Sequence, residues 1–313
     1  MFVRKAVIMK RKVLFWSLGI LAGVLLVGAG VYAYNVYSNV SQPLEKIHQP
    51  LKREVPSQRE EEVKLEKKDP MSILVMGVDK QGGDQGRSDT LMLLTLNPKT
   101  NSMKIVGIPR DTYTEIVGKG KKDKINHAYA FGGIDMTVNT VEKFLNVPVD
   151  HYVEINMEGF KEIVDAVGGL DVNNDLDFTD EGVHFAKGNI HLNGTEALVY
   201  VRMRKLDPRG DFGRQMRQRQ VMQAVMKKGT DPSSLGNYTR ILSALEKNVK
   251  TSFTQKDIIE IPQNYRGCQS NIEEIQIEGK GTRINRIYYE VVDEAVRQNI
   301  SKKLREHLEL PAQ

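Results

Sequence analysis

Five charged residues flank three apolar runs. Asp79 follows the run SILVMGV (72–78), Arg87 and Asp89 precede the run 90–96, and Arg110 and Asp111 follow the run 102–108. Each run reads as a short buried strand. Asn97-Pro98-Lys99-Thr100-Asn101 joins the second run to the third with hairpin punctuation. A hairpin sets the start of one strand beside the end of the next. The nine-residue Gly-rich loop KQGGDQGRS (80–88) brings the first run back to the second at that same edge. All five charged residues are therefore expected at one end of one sheet, where Pro109 interrupts the ladder.

Asp79 and Asp89, with no His or Cys beside them, suit a hard cation such as Mg²⁺ or Mn²⁺. Mg²⁺ commonly takes one or two carboxylates together with substrate phosphates. Arginine next to such a pair suits bidentate phosphate binding. The bland alternative is ordinary Asp–Arg pairing at a strand end. A second cluster favours the phosphate reading. Arg202, Arg204, Arg209, Arg214, Arg217 and Arg219 lie close together, with only Asp207 and Asp211 among them. On a helix from about residue 211 to 227, Arg214 and Gln218 share a face and Asp211 precedes Arg214 by one turn. Arg217 falls beside that stripe, and Arg219 is expected to point away into solvent. Gly210-Asp211 reads as a helix start, where free N–H groups favour anions. A solvated basic patch is the competing reading. Together the clusters point to a diphosphate, with a cation and arginines spreading the charge of a phosphoryl transfer.

The elements that must position these groups follow from the remaining pattern. Helical stretches are expected from about 126, closed by Gly132-Gly133, and from about 135 to 145. A strand is expected at 149–155 and a helix at 158–167 stopped by Gly168-Gly169. The stretch TEALVYVRMR (195–204) stays open between helix and extended chain. Helices near 236–248 and 292–308 and strands near 272–277 and 286–291 complete an α/β chain with a layered α-β-α arrangement around a central mixed sheet.

Ahead of residue 71 the character changes. Residues 1–12 carry five basic side chains and no acid. The net charge of +5 belongs to this tail, because 40 basic and 40 acidic residues remain in the rest. A nucleic-acid surface is therefore not expected. Residues 13–34 form an uncharged, mostly apolar run of 22. As a helix it covers the ~30 Å hydrocarbon core of a bilayer. Trp16 stands near one end and Tyr32, Tyr34 and Tyr37 near the other, as interface anchors do. The basic tail puts the N-terminus in the cytoplasm and everything after residue 35 outside, as a single-pass type II protein of the cell membrane. A cleavable signal peptide is the rival reading, and it exports the chain equally. Residues 35–70, rich in Pro, Glu and Lys, read as a solvated stalk leading to a catalytic domain at 71–313.

Cys268 is the single cysteine, so no intrachain disulfide forms, and it reads as an unremarkable thiol. No P-loop, GxSxG or HExxH occurs. The six histidines show no metal-ligand spacing, and His127, after Asn126 at a helix start, reads as structural.

Seven stretches, ILVMGVD, GRSDTLML, GIPRDTY, KINHAYAFGG, IVDAVGGLDV, LNGTEALVYVRMR and GDFGRQMRQRQ, occur in the order found in one family. From about Met71 to the C-terminus the chain resembles the LytR–CpsA–Psr family. The resemblance implies an α-β-α sandwich with a hydrophobic channel for a polyprenyl chain. It also implies an extracytoplasmic phosphotransferase that moves a glycopolymer, such as wall teichoic acid, from undecaprenyl diphosphate to a muramic acid hydroxyl of peptidoglycan. Carried over motif by motif, Asp79 and Asp89 become metal-side carboxylates. Arg87, Arg110, Arg202, Arg204 and Arg214, with Gln218, become the diphosphate clamp, and Asp211 its orienting acid. The alternatives are a polyprenyl-diphosphate phosphatase, a membrane-bound transcriptional attenuator, and a non-catalytic anchor for an anionic polymer.

Overall fold

The structure is a computed structural model, and it describes residues 42–53, 56, 58–79, 86–229 and 238–311. The 13–34 segment expected to cross a membrane lies outside the described residues, as do residues 80–85 of the Gly-rich loop. Among the described residues, no helix is long and apolar enough to cross a membrane.

A six-stranded mixed sheet organises the chain. Counting only its strands, β1 is Met71–Asp79, β2 Arg87–Asn97, β3 Ser102–Ile108, β4 His151–Asn156, β5 Val249–Thr251 and β6 Asn271–Gln276. Their spatial order is β5-β4-β1-β2-β3-β6. β1 pairs antiparallel with β2 and parallel with β4, and β6 pairs parallel with β3. The β2–β3 turn is held by Asn97, whose Oδ1 accepts from the backbone N–H of Lys99 at 3.0 Å.

The central strands are buried on both faces, which explains their unbroken apolar sequence. Leu74, Met76 and Val78 of β1 and Leu91 and Leu93 of β2 pack on one face against Ile134, Val138 and Val141 of α1 (His127–Leu145). Ile300 and Leu304 of α7 (Glu294–His307) join the same core. The opposite face carries Ile73, Leu94 and Leu96, and is covered by α2 (Met157–Ala166), α3 (Gly194–Arg202) and α4 (Asp211–Gly229), with α5 (Tyr238–Asn248) and α6 (Gln255–Asn264) beyond. The expected stop at Gly132-Gly133 appears as a break inside α1, since both residues depart from helical dihedrals.

Local chemistry sets several boundaries. Asn156 Oδ1 accepts from Gly159 N at 2.7 Å and starts α2, while Gly168 and Gly169 end it with φ of 81° and 82°. The stretch left open at 195–204 is helix up to Arg202, started by a capping box between Asn193 and Glu196. Met203 then leaves the helix.

The part of the 35–70 segment that is described does not stand apart from the domain. Residues 42–47 are helical, and Leu44 and Ile47 are buried among Ile163, Ala166, Ala244 and Val249. Arg53 pairs with the buried Glu142, and Arg59 Nε lies 2.7 Å from Asp150 Oδ1. Some of the charges that suggested a spacer, Arg53 and Arg59 among them, thus find partners in the folded domain.

Candidate functional site

The edge expected to collect charge does so. Asp79 and Arg87 are register partners at the end of the β1–β2 pair. Gly77 pairs with Thr90 and Val78 with Ser88, which leaves Asp89 opposite no residue of β1. This bulge re-aims Asp89 at the sheet end. Asp89 Oδ1 lies 3.1 Å from Arg110 Nη1 and accepts from Asn126 Nδ2 at 3.2 Å. Arg110 also approaches Asp111 at 3.8 Å, and Asp111 is held by Lys124 at 2.6 Å. Arg202 Nη2, at the end of α3, donates to Asp79 Oδ2 at 3.2 Å.

The second cluster meets the first. A cavity of about 1190 Å³ opens between the sheet and the helices α2, α3 and α4. Part of its lining is apolar, built from Val75 and Met92 of the sheet, Phe160 and Ile163 of α2, and Val221 and Val225 of α4. Asp89, Arg110, Arg202, Arg204, Arg214 and Gln218 line the same cavity. Gln218 is fixed by donating to Thr90 Oγ1 at 3.0 Å. Asp211 pairs with Arg214 and, at 3.7 Å, with Arg204. Arg214 is nearly buried, and burial pulls its pKa down; Asp211 and Asp89 oppose this while Arg110 and Arg204 reinforce it. Its Nε has no hydrogen-bond partner among the described residues. A buried guanidinium with a spare donor and cationic neighbours is a receptor for an anion.

Three of the six arginines do other work. Arg217 is fully buried; it lies 2.6 Å from Asp207 Oδ2 and donates to the carbonyls of Tyr200 and Met203. Arg209 pairs with Asp207 and Asp175. Arg219, expected in solvent, is instead buried, with Nε 2.6 Å from Glu274 Oε2 on β6. That partner lies far along the chain, so helix periodicity gave no sign of it. Burial alone would raise the Asp207 carboxyl, but hydrogen bonds from Arg209 and Arg217 outweigh it and hold it well below the usual carboxylate range. Gly213 makes this packing possible: a Cβ there would sit 1.9 Å from Asp207 Oδ2.

Arg87 is exposed and does not line the cavity, although its backbone sits opposite Asp79. Asn126 is the site residue that sequence reasoning missed. It stands before α1 but makes no side-chain cap, and binds Asp89 instead. His127 pairs with Asp123 at 3.0 Å, in keeping with a structural role. Burial pushes the Cys268 thiol up to about 11, so it is inert at neutral pH.

No group of three or more His, Cys, Asp or Glu side chains able to hold a metal occurs among the described residues. Of the described residues, Asp79 and Asp89 could serve a cation here, with phosphate oxygens and water completing its shell. That donor set is the usual one for Mg²⁺ carried with a phosphate substrate.

A sequence model of the LytR_cpsA_psr family matches residues 34–306. The polyisoprenyl-teichoic acid--peptidoglycan teichoic acid transferase TagU of Bacillus mycoides (strain KBAB4) is 63% identical over 303 residues, spanning 96% of this chain and 99% of its own length. The TagU of Bacillus subtilis (strain 168) is 48% identical over 300 residues, spanning 96% and 97%. Among solved structures, that of B. subtilis TagU is 50% identical, covers 79% of this chain and all of its own, and superposes with a TM-score of 0.65. A structure of TagT bound to LIIa-WTA is 33% identical, covers 84% of this chain and all of its own, and gives 0.72. With the expected edge, the arginine-lined cavity and these relatives in agreement, the chain belongs to the LytR_cpsA_psr family.

Proposed function

We propose that this protein transfers a phosphate-linked wall glycopolymer of the teichoic acid class from a polyprenyl-diphosphate carrier to a muramic acid hydroxyl of peptidoglycan. One observation carries the reading: a single cavity combines apolar residues of the sheet, α2 and α4 with Arg110, Arg202, Arg204 and Arg214 beside Asp89. An amphiphile with a long hydrocarbon tail and a diphosphate head matches both parts. The names of the TagU relatives support the polymer and the acceptor.

The chain's own residues do most of the work by position. Arg214, Arg204 and Arg110 hold the diphosphate and offset the charge that grows as the phosphoryl group transfers. Asp211 orients two of them, and Gln218 is locked by Thr90. The acceptor oxygen bonds to the sugar-linked phosphorus, the phosphorus–oxygen bond to the lipid phosphate breaks, and polyprenyl phosphate departs with that electron pair. The hydroxyl proton needs a base, and Asp89, which lines the cavity beside Arg110, is a carboxylate placed among the clamp arginines. When bound, Mg²⁺ would be held by Asp79 and Asp89 and would supply Lewis-acid charge neutralisation to the phosphates. A cation-bound carboxylate is a poor base, so these two roles of Asp89 are alternatives that a pH profile with and without Mg²⁺ separates.

Residues 13–34, with the basic tail before them, support a membrane anchor that leaves the domain outside the cell, facing its lipid donor. The deciding experiment incubates the full-length protein in detergent with a synthetic lipid-diphosphate-linked polymer, a peptidoglycan oligomer and Mg²⁺. Mass spectrometry should show a polymer–peptidoglycan conjugate. Release of polymer phosphate to water alone, with acceptor present, would make the protein a phosphatase instead.

A further inference from the structure

A second cavity, of about 300 Å³, lies on the other side of the arginine wall. The two cavities share Arg204, and two ion pairs bridge from one to the other. Arg110 and Arg214 face the large cavity, while their partners Asp111 and Asp211 line the small one. Asp207 and Arg209 are placed the other way round, so the small cavity holds three carboxylates, Asp111, Asp211 and Glu290, beside Arg204 and Arg209.

The small cavity has further features of a built site. The hairpin 280–291 closes it with Tyr288 and Glu290. Tyr288 is 40% exposed, and its hydroxyl donates to Glu290 Oε2 at 2.7 Å. The hairpin is tied to the catalytic edge, because Glu290 N donates to Asp111 O at 2.9 Å. Gly281 keeps the opening: a Cβ there would press on the Tyr288 ring at 2.9 Å. Gln215 also lines the cavity. It is 6% exposed, and its Oε1 has no hydrogen-bond partner among the described residues.

These properties select against the lipid donor. Asp111, Asp211 and Glu290 outnumber Arg204 and Arg209 there, so a diphosphate gains no net attraction. A neutral chain rich in hydroxyls and amides fits. Carboxylates accept strong hydrogen bonds from such groups, and an exposed tyrosine ring offers a flat surface to the C–H face of a sugar. The volume is at the lower end for small-ligand pockets, enough for a short saccharide segment and not for a lipid. We propose that this cavity is the subsite for the acceptor saccharide, which brings its hydroxyl to Arg204, the residue common to both cavities, within reach of the diphosphate held there. The inference rests on the transferase reading above.

The test uses the full-length protein in detergent, lipid-diphosphate-linked polymer as donor, and as acceptor a peptidoglycan tetrasaccharide without stem peptides whose lactyl carboxyls are capped as simple amides, so that it is neutral. Tyr288→Ala should raise the KM for the tetrasaccharide by about tenfold and leave the KM for the donor unchanged. Tyr288→Phe keeps the ring and should retain most of the affinity. Glu290→Gln, close in shape to the native side chain, should weaken the acceptor in the same direction. Saturation-transfer NMR of the tetrasaccharide should show its signal lost with Tyr288→Ala. Thermal unfolding identifies a variant that has lost its fold, in which case the Phe and Gln variants decide. If wild type transfers polymer and both Tyr288→Ala and Glu290→Gln leave the acceptor KM unchanged, the subsite lies elsewhere. If wild type forms no conjugate at all, the transferase reading has failed, and the two outcomes are distinct.

Discussion

Arg217 and Arg214 stand one turn apart on α4, yet their surroundings differ completely. Arg217 is fully buried, with Asp207 as its countercharge and two backbone carbonyls taking further donors. Every charge there is answered within the protein. Arg214 shares Asp211 with Arg204, has Arg110 among its cationic neighbours, and keeps a buried Nε without a partner among the described residues. At that position positive charge is in excess. One residue type on one helix thus serves two purposes, and the supply of countercharge decides which. Where the fold provides the anion, arginine holds structure; where it does not, arginine receives a ligand.

Breaking the structural half should cost the most. Arg217→Ala leaves Asp207 buried with only Arg209 to answer it, and should lower unfolding stability by about 3–5 kcal/mol in urea titrations. Breaking the ligand half should leave the fold alone. Arg214→Ala or Arg110→Ala should reduce transfer by about 10²–10³-fold, roughly 2.7–4 kcal/mol of transition-state stabilisation, with a nearly unchanged unfolding midpoint. Equal destabilisation by Arg214→Ala and Arg217→Ala would erase the distinction.

Acid sharpens the same contrast. The folded state holds the Asp207 carboxyl below its unfolded value, so the group binds fewer protons when folded. Its contribution is fully present above the ordinary carboxylate range near pH ~4 and is lost as the pH falls through the depressed folded value. Unfolding followed from pH 6 downward should therefore show a steep acid limb that Asp207→Asn flattens. The smallest effect belongs to Arg219→Met. Glu274 is about a third exposed, so removing the pair should cost ~1 kcal/mol or less and leave transfer rates alone. A large loss of transfer in Arg219→Met would show that the ligand-facing set has been drawn too narrowly.

Much of the site was legible because its signals are local. Asp79, Asp89 and Arg110 sit at strand ends that apolar runs announce, and a hairpin forces those ends together. Arg214 and Gln218 share a face because a helix repeats every 3.6 residues. Other features were not legible. The bulge that turns Asp89 is a matter of register between strands, and Asn126 looks like an ordinary residue at a helix start. Residues 35–70 read as spacer because Leu44, Ile47 and Leu65 are isolated among charges, and their burial draws on residues far along the chain such as Ala244, Phe253 and Tyr265.

The amino-acid order alone therefore determined the three apolar strands at the site, the helix that carries Arg214 and the edge where charge collects, since each rests on neighbours within a few positions. Tertiary structure alone decided which arginines find a carboxylate in the fold and which are left facing a cavity. That choice depends on pairs such as Arg219–Glu274 and Arg202–Asp79, which meet only when distant segments pack together. Charge compensation is a property of space, and sequence spacing records only the part of it that lies along one helix or one turn.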